Sequence, residues 1–329
     1  MAGALSEAPP VVVTGAGGFI GRALVAHFAR AGRPFRAIVR EHAGAVPPKP
    51  HFRTVSDLAV IPESALDELV AGASAIVHLA GRAHVLDETT ADPAAAYAAA
   101  NVAATARLAR AAARAGVSRF VLASTAKVNG ETSAPGHPFR PTDPPDPCDA
   151  YARSKLDAER ELAAIAAGTP MAPIVLRLPL VYGPGVKGNF ATLMDEVARE
   201  RRLPLASIRN RRSLLYVGNL VLAIDAALDA PVPPAGVHFV ADAHSVAVPE
   251  LVTAAGAALG IPARLVAVPV WLLEWGGRLL GRRALVERLA GTLEVDSASF
   301  TAATGWRPRH DLAEGLATTA AWWRLHHAI

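Results

Sequence analysis

Tyr151 and Lys155 stand four positions apart in the stretch Y-A-R-S-K. On a helix, residues with that spacing share a face, one turn apart. A tyrosine hydroxyl has a reference pKa near about 10, so alone it is a poor proton donor or acceptor at neutral pH. A neighbouring ammonium favours the phenolate and lowers that value. A drop of about three units corresponds to roughly 4 kcal/mol of differential stabilisation. The spacing therefore offers a general acid/base, and it equally describes two solvated side chains on an ordinary helix. The surrounding sequence has to separate the two.

A glycine cluster, T-G-A-G-G-F-I-G, follows directly on the apolar run V-V-V-T near the chain start. Gly15, Gly18 and Gly21 have the spacing G-x-x-G-x-x-G, with Gly17 between them. One glycine permits a tight turn, one lets backbone amides approach a pyrophosphate, and one lets helix pack on strand. The helix N-terminus that follows presents free N–H groups to a phosphate. The cluster predicts a dinucleotide site. About 20 residues further on, an acidic residue would bind a ribose 2′-OH. Here the next apolar strand ends in Arg40, followed by Glu41. An arginine there pairs with a 2′-phosphate, so the expected cofactor is NADP(H) over NAD(H), with Glu41 as the competing signal.

These residues need elements to position them. Short β-rich runs alternate with Ala-rich helical runs: strands at 11–14, 35–39, 51–55, 75–80, 119–124 and 173–178, and helices from the glycines to Ala31, at 62–71, 92–115 and 149–166. Asp149 reads as the N-cap of the Tyr151 helix. Strand–helix alternation predicts an α/β fold, a doubly wound parallel Rossmann sheet buried on both faces. Residues 1–180 read as the dinucleotide-binding domain, with returning segments near 213–241. Residues 181–329 read mainly as a smaller C-terminal substrate-binding lobe, with short strands at 213–217 and 237–241. A proline-rich loop over 132–147 leads into the Tyr151 helix, and loops that long in compact domains are usually functional or mobile.

The chain has 329 residues, 52% of them hydrophobic, enough for a large core. Cys148 is the single cysteine, which excludes an intrachain disulfide and a cysteine-built metal site and suits a reducing, cytoplasmic setting. The net charge of +4 comes without a basic tail, which argues against nucleic acid and for anionic small molecules. The N-terminus lacks the features of a signal peptide. No apolar run reaches the length of a membrane span. Residues 270–289 mix Trp and Leu with Arg, as an interfacial helix does. The preferred reading there is a helix or helix pair packed on the body and broken near Gly276-Gly277, with no membrane insertion.

Taken together, the glycine loop, A-S-T at 123–125 and the Tyr151/Lys155 pair resemble the extended short-chain dehydrogenase/reductases, more closely the NAD-dependent epimerase/dehydratase family acting on nucleotide sugars. H-L-A-G at 78–81, N-V-A-A-T at 101–105, R-L-P-L-V-Y-G-P-G at 177–185 and R-R-S-L-L-Y-V-G-N-L at 211–220 resemble further segments of that family, so the likeness covers nearly the whole chain. S-T-A-K-V-N-G-E, D-A-Y-A-R-S-K and G-P-G-V-K-G-N-F resemble its UDP-N-acetylquinovosamine dehydrogenase subgroup, proposed 4-keto reductases close to UDP-glucose 4-epimerases.

The resemblance implies roles. Tyr151 is the acid/base on the sugar oxygen. Lys155 lowers its pKa and holds the nicotinamide ribose. Thr125 hydrogen-bonds the reacting oxygen, with Ser124 a weaker candidate. Cofactor contacts fall on Gly15, Gly18, Phe19, Ile20, Gly21, Arg40, Asp57, Leu58, Leu79, Ala80, Gly81, Asn101, Tyr151, Lys155 and Pro179. Asp57 is matched to adenine and Asn101 to a structural or proton-relay role. Asn189 and Arg212 match diphosphate contacts, with Lys187 and Arg288 secondary. His78 and His84 read as strand-end and loop residues, since no histidine–carboxylate cluster has zinc spacing.

Departures from the family narrow the reaction. Its 4,6-dehydratases follow the active Thr with Asp-Glu; here Ala126 and Lys127 follow Thr125, which disfavours dehydration. Asn219 stands where the family places an aspartate, which puts a salt bridge there in doubt. The expected activity is hydride transfer at C4 of a UDP-sugar, 4-keto reduction ahead of 4-epimerisation. The alternatives are a reductase of a lipid, sterol or phenolic carbonyl, and a non-catalytic NADP-binding sensor. A homodimer is implied by the resemblance alone.

Overall fold

The computed structural model describes residues 8–41, 51–83, 90–279 and 283–327. The chain divides into two compact units: 1–128, 147–177 and 224–238 form the first, and 129–146, 178–223 and 239–329 the second.

In the first unit, strands β1 (Val11–Thr14), β2 (Phe35–Arg40), β3 (Phe52–Val55), β4 (Ala75–His78), β5 (Arg119–Thr125) and β6 (Ala172–Leu178) alternate with helices α1 (Phe19–Ala31), α2 (Glu63–Val70), α3 (Pro93–Tyr97), α4 (Ala104–Arg114) and α5 (Ala150–Ala166). A later strand, Gly236–Phe239, completes a seven-stranded sheet. The sheet order is that strand, then β6-β5-β4-β1-β2-β3. β1 pairs parallel with both β2 and β4, and Thr14 lies level with Ile38 and His78. The Val- and Ile-rich strands β1 and β4 are buried along their whole length, as a sheet covered on both faces requires. One core cluster packs Val12, Ile38, Ile76 and Phe120 of the sheet against Leu66, Leu108 and Leu162 of the helices.

The expected helix over 92–115 is present but not uniform. α3 passes into a π-helical turn, Ala98–Ala103, before α4 begins. π turns inside helices occur frequently at functional sites, and this one carries Asn101. Asp149 caps α5 as expected, its Oδ1 accepting the Ala152 N–H at 2.7 Å.

The second unit holds β7 (Leu180–Tyr182) parallel to β9 (Leu214–Tyr216), and β8 (Arg202–Leu203) parallel to β11 (Arg264–Leu265), the Gly236–Phe239 strand being β10. Its helices are α6 (Asn189–Ala198), α8 (Val248–Leu259), α9 (Val270–Leu279), α10 (Arg283–Ala290), α11 (Ala298–Thr304) and α12 (Leu312–His326), while α7 (Val217–Asp229) starts in this unit and ends in the first. Residues 270–289 form a helix pair, but the expected break at Gly276-Gly277 is not there. α9 runs through both glycines, and Gly277 is buried.

Candidate functional site

The glycine loop leaves β1 with Gly15 at φ +67°, a left-handed conformation that glycine adopts freely. Close packing explains Gly21: a Cβ there would sit 2.1 Å from the Gly15 carbonyl oxygen. Gly18 N-caps α1 with no side chain on its amides. Phe19 and Ile20, half-buried, open the helix. The first N–H groups of α1 therefore face outward at the C-terminal edge of a parallel sheet, where such folds bind their ligands.

Behind this loop runs a buried hydrogen-bond chain. Thr14 Oγ1 accepts from the Ala80 N–H at 3.2 Å and lies 2.6 Å from His78 Nδ1. His78 Nε2 lies 3.1 Å from Thr105 Oγ1, which donates to the Asn101 carbonyl at 2.5 Å. Each hydroxyl has one proton, so Thr14 donates to Nδ1 and Nε2–H donates to Thr105. His78 is therefore held as the neutral Nε2–H tautomer. Burial, helped by the Lys155 charge, pushes its pKa down to about 3. Asn101 continues the chain from its side chain. Oδ1 accepts the Arg82 N–H at 2.8 Å, and Nδ2 donates to the Arg82 carbonyl at 3.1 Å and Ser154 Oγ at 2.9 Å. Ser154 Oγ donates to the Tyr151 carbonyl at 2.7 Å. Asn101 thus clamps the segment after β4 to the helix that carries Tyr151.

Tyr151 hydrogen-bonds Thr125, the last residue of β5. Its ring lies 5.9 Å from that of Tyr97, whose hydroxyl donates to the Ala83 carbonyl. One turn along α5, Lys155 is buried. A Cβ at Gly81 would lie 3.8 Å from Lys155 Nζ and 2.7 Å from Asn101 Oδ1, so all three converge after β4. Burial lowers the Lys155 pKa to about 8, with Glu159 opposing the fall.

The phenol departs from expectation. Its pKa is pushed up to about 12, chiefly by burial, with the Thr125 hydrogen bond pulling the other way. Lys155 is not among the groups that move it. The reason is that desolvation penalises the phenolate directly. Tyr151 in this state is a protonated donor rather than an acidified one.

Ser124 also departs from expectation. Strand alternation sends it away from Thr125, and its hydroxyl donates to Glu159, which Arg177 clamps through Nη2 at 2.6 Å. It belongs to a buried structural pair. Sequence reasoning missed Glu159 and Arg177, although Glu159 follows Lys155 by four positions on the same helical face. It also gave Lys127 no role. The structure pairs Lys127 Nζ with the cap residue Asp149 at 3.0 Å.

Around the cofactor edge, Arg40 is exposed at the end of β2, and Glu41 lines a cleft with Arg36, Arg53 and Ser56. Asp57 is committed locally, its Oδ1 accepting the Ala59 N–H at 2.8 Å. Leu58 is buried, and Leu79 and Ala80 are half-buried; Pro179, a residue of the second unit, is buried there. His84 lies outside the described residues. Among the described residues no group of His, Cys, Asp and Glu could hold a metal ion.

The remaining candidates lie in the second unit. Lys187 and Asn189 are exposed at the N-terminus of α6, which no side chain caps. Arg212 donates from Nη1 to the carbonyls of Arg288 at 2.7 Å and Gly291 at 2.9 Å. Asn210 donates to those of Leu289 and Gly291. Together they cap the end of α10, so part of the Arg212 fork is already engaged, and Arg288 enters through its backbone. Asn219 is fully buried. It donates to Asp242 Oδ1 at 2.7 Å and to the His310 carbonyl at 2.8 Å, and accepts from the Arg309 and His310 amides. A neutral amide suits that place because an aspartate would face Asp242.

The sequence profile of the NAD dependent epimerase/dehydratase family matches residues 11–241, more than half of the chain. The chain belongs to that family. A UDP-glucose 4-epimerase of Vibrio cholerae is 42% identical to this family member over 246 residues, 74% of this chain and 75% of that protein. A ceramide reductase of Caulobacter vibrioides is 27% identical over 336 aligned positions, 95% of this chain and 94% of that one. Among solved structures, MoeE5 in complex with UDP-glucuronic acid and NAD matches with a TM-score of 0.77 at 26% identity, over 97% of this chain and 100% of that one.

Proposed function

We propose that this chain binds a nicotinamide dinucleotide and transfers hydride at C4 of a UDP-sugar, working as a 4-keto-sugar reductase. The observation that carries the reading is the hydrogen bond between Tyr151 and Thr125, set one helical turn from buried Lys155. The glycine loop and the open N-terminus of α1 fit a pyrophosphate. When bound, the nicotinamide supplies or accepts the hydride. Tyr151 gives its phenolic proton to the C4 oxygen, and Thr125 holds that same oxygen. Lys155, whose ammonium lies close to Gly81, would hold the ribose hydroxyls of the bound dinucleotide. Lys187 and Asn189 at the α6 N-terminus, and the remaining donors of Arg212, suit a diphosphate.

Two features support the reductive direction. A phenol held protonated is an acid, as reduction of a carbonyl needs. Arg40 at the end of β2 suits the 2′-phosphate of NADPH. Ala126 and Lys127 leave no acid–base pair for water loss, and Lys127 is tied to Asp149. The Vibrio cholerae relative, named a UDP-glucose 4-epimerase, and MoeE5, solved with NAD, support the second reading, epimerisation with a retained NAD. The same Tyr151 and Thr125 would serve both directions of that reaction.

The deciding experiment supplies a UDP-4-keto-hexosamine with NADPH, and separately UDP-glucose with no added cofactor. The proposal expects NADPH oxidation in the first vessel and nothing in the second. Galactose epimer in the second vessel, with no NADPH consumed in the first, replaces it with the epimerase reading. Turnover of a ceramide-type ketone alone would remove the nucleotide sugar altogether.

A further inference from the structure

Helix α9 turns four large apolar side chains to solvent, while Val270 and Leu273 are half-buried. Trp271 is 68% exposed, Leu272 40%, Trp275 58% and Leu279 67%. At about 100° per residue these four fall within an arc of about 100°. Gly277, on the opposite side, is buried, and Arg278 is exposed at the edge of the arc beside Trp271. Among the described residues the other large exposed apolar ones, Val60, Leu180, Val232, Val266 and Leu325, are scattered along the chain.

We propose that α9 is a peripheral docking face for an anionic lipid bilayer, with Trp271 and Trp275 at headgroup level and Arg278 against the lipid phosphates. Indole rings, apolar with one N–H donor, are enriched at membrane–water interfaces. An apolar stripe flanked by arginine on a short helix is the pattern of a segment lying in the interface plane. Ten residues span about 15 Å, half of what is needed to cross a hydrocarbon core, and no described helix is long and apolar enough to cross. The chain's net charge of +4 and the exposed Arg278 complement anionic headgroups.

The size of the stripe argues against a second copy as occupant. Four side chains on one short helix offer a few hundred Å² at most, against about 800 Å² per partner in a stable protein interface. A fluid bilayer demands no matching surface. The proposal goes beyond the redox reading and does not depend on it.

The test is sedimentation of the full chain with phosphatidylcholine vesicles and with vesicles containing phosphatidylglycerol. The expected result is co-sedimentation with the anionic vesicles, weakened by salt. The double variant Trp271→Ser/Trp275→Ser should partition at least about tenfold less, with unchanged circular dichroism and thermal midpoint. Arg278→Gln should lower binding to anionic vesicles about fivefold and leave neutral vesicles unaffected. Wild-type protein remaining in the supernatant with both vesicle types overturns the proposal, as does a double variant that binds as well as wild type. Concentration-dependent dimerisation that the same substitutions abolish, without vesicle binding, overturns it in favour of a self-interface.

Discussion

Tyr151 works, on this account, as a protonated phenol. Burial places its pKa at about 12, and the hydrogen bond with Thr125 pulls it down. Beside Tyr151, Lys155 titrates closer to neutrality, with a pKa lowered to about 8 by burial. Below that value it is an ammonium; above it the charge is lost. Nucleotide affinity should therefore weaken as pH rises through about 8. In Lys155→Met the affinity should be about tenfold lower at pH 7 and should no longer change across that range. Calorimetric titration with NADPH at a series of pH values checks both. The residue types and their spacing could be read from the sequence, while resemblance assigned Tyr151 and Thr125 each to the reacting oxygen and not to each other. Their electrostatics could not be read, because desolvation depends on what the fold stacks around each group. The same limit hid Ser124. Its neighbour Thr125 hydrogen-bonds Tyr151, but strand alternation turns the Ser124 hydroxyl to Glu159.

The β1–glycine loop–α1 unit was legible because each glycine answers a local requirement. A Cβ at Gly21 would overlap the Gly15 carbonyl, and overpacking of that kind costs about 1–3 kcal/mol. Gly21→Ala should therefore lower the thermal midpoint and abolish the stabilisation given by NADP or NAD. The response to UDP alone should persist, since its candidate contacts lie in the second unit. Thermal-shift measurements with each nucleotide separate these outcomes. The π turn at Ala98–Ala103 was not legible. Its Ala-rich sequence favours plain α-helix, and the departure accompanies the bonds Asn101 makes to Arg82 and Ser154. Strands β7, β8 and β11 were missed because runs of two or three residues carry no periodic signal. α9 was legible as an amphipathic helix, while the direction of its apolar face was not. Only packing shows that Trp271 and Trp275 point to solvent.

For the whole molecule, pH links the buried histidine to stability. His78 has a pKa of about 3 in the folded chain, well below its usual value. A base with a depressed pKa contributes stability that is complete above about pH 6.5 and is lost as pH falls toward 3, by up to about 1.4 kcal/mol per unit. The His78 share of stability, followed by the thermal midpoint, should fall progressively between pH 6.5 and 4, against an opposing gain from Asp242, whose pKa burial raises to about 6. His78→Asn, which cannot reach both threonines, should be less stable at pH 7 and show a flatter decline. From the sequence the chain divides at residue 180, with returning segments near 213–241, whereas the two compact units are interleaved along it. The assignment of residues 129–146 to the second unit was not anticipated, since a proline-rich stretch lacks the pattern that says what it packs on.

The central claim is that one phenolic proton is delivered to the reacting oxygen, and Tyr151→Phe tests it most directly. Turnover of a UDP-4-keto-sugar with NADPH should drop by about 10²- to 10⁴-fold, while affinities for NADPH and UDP stay within about twofold of wild type. Turnover within a few-fold of wild type, with the phenol gone and both ligands bound, would contradict the account.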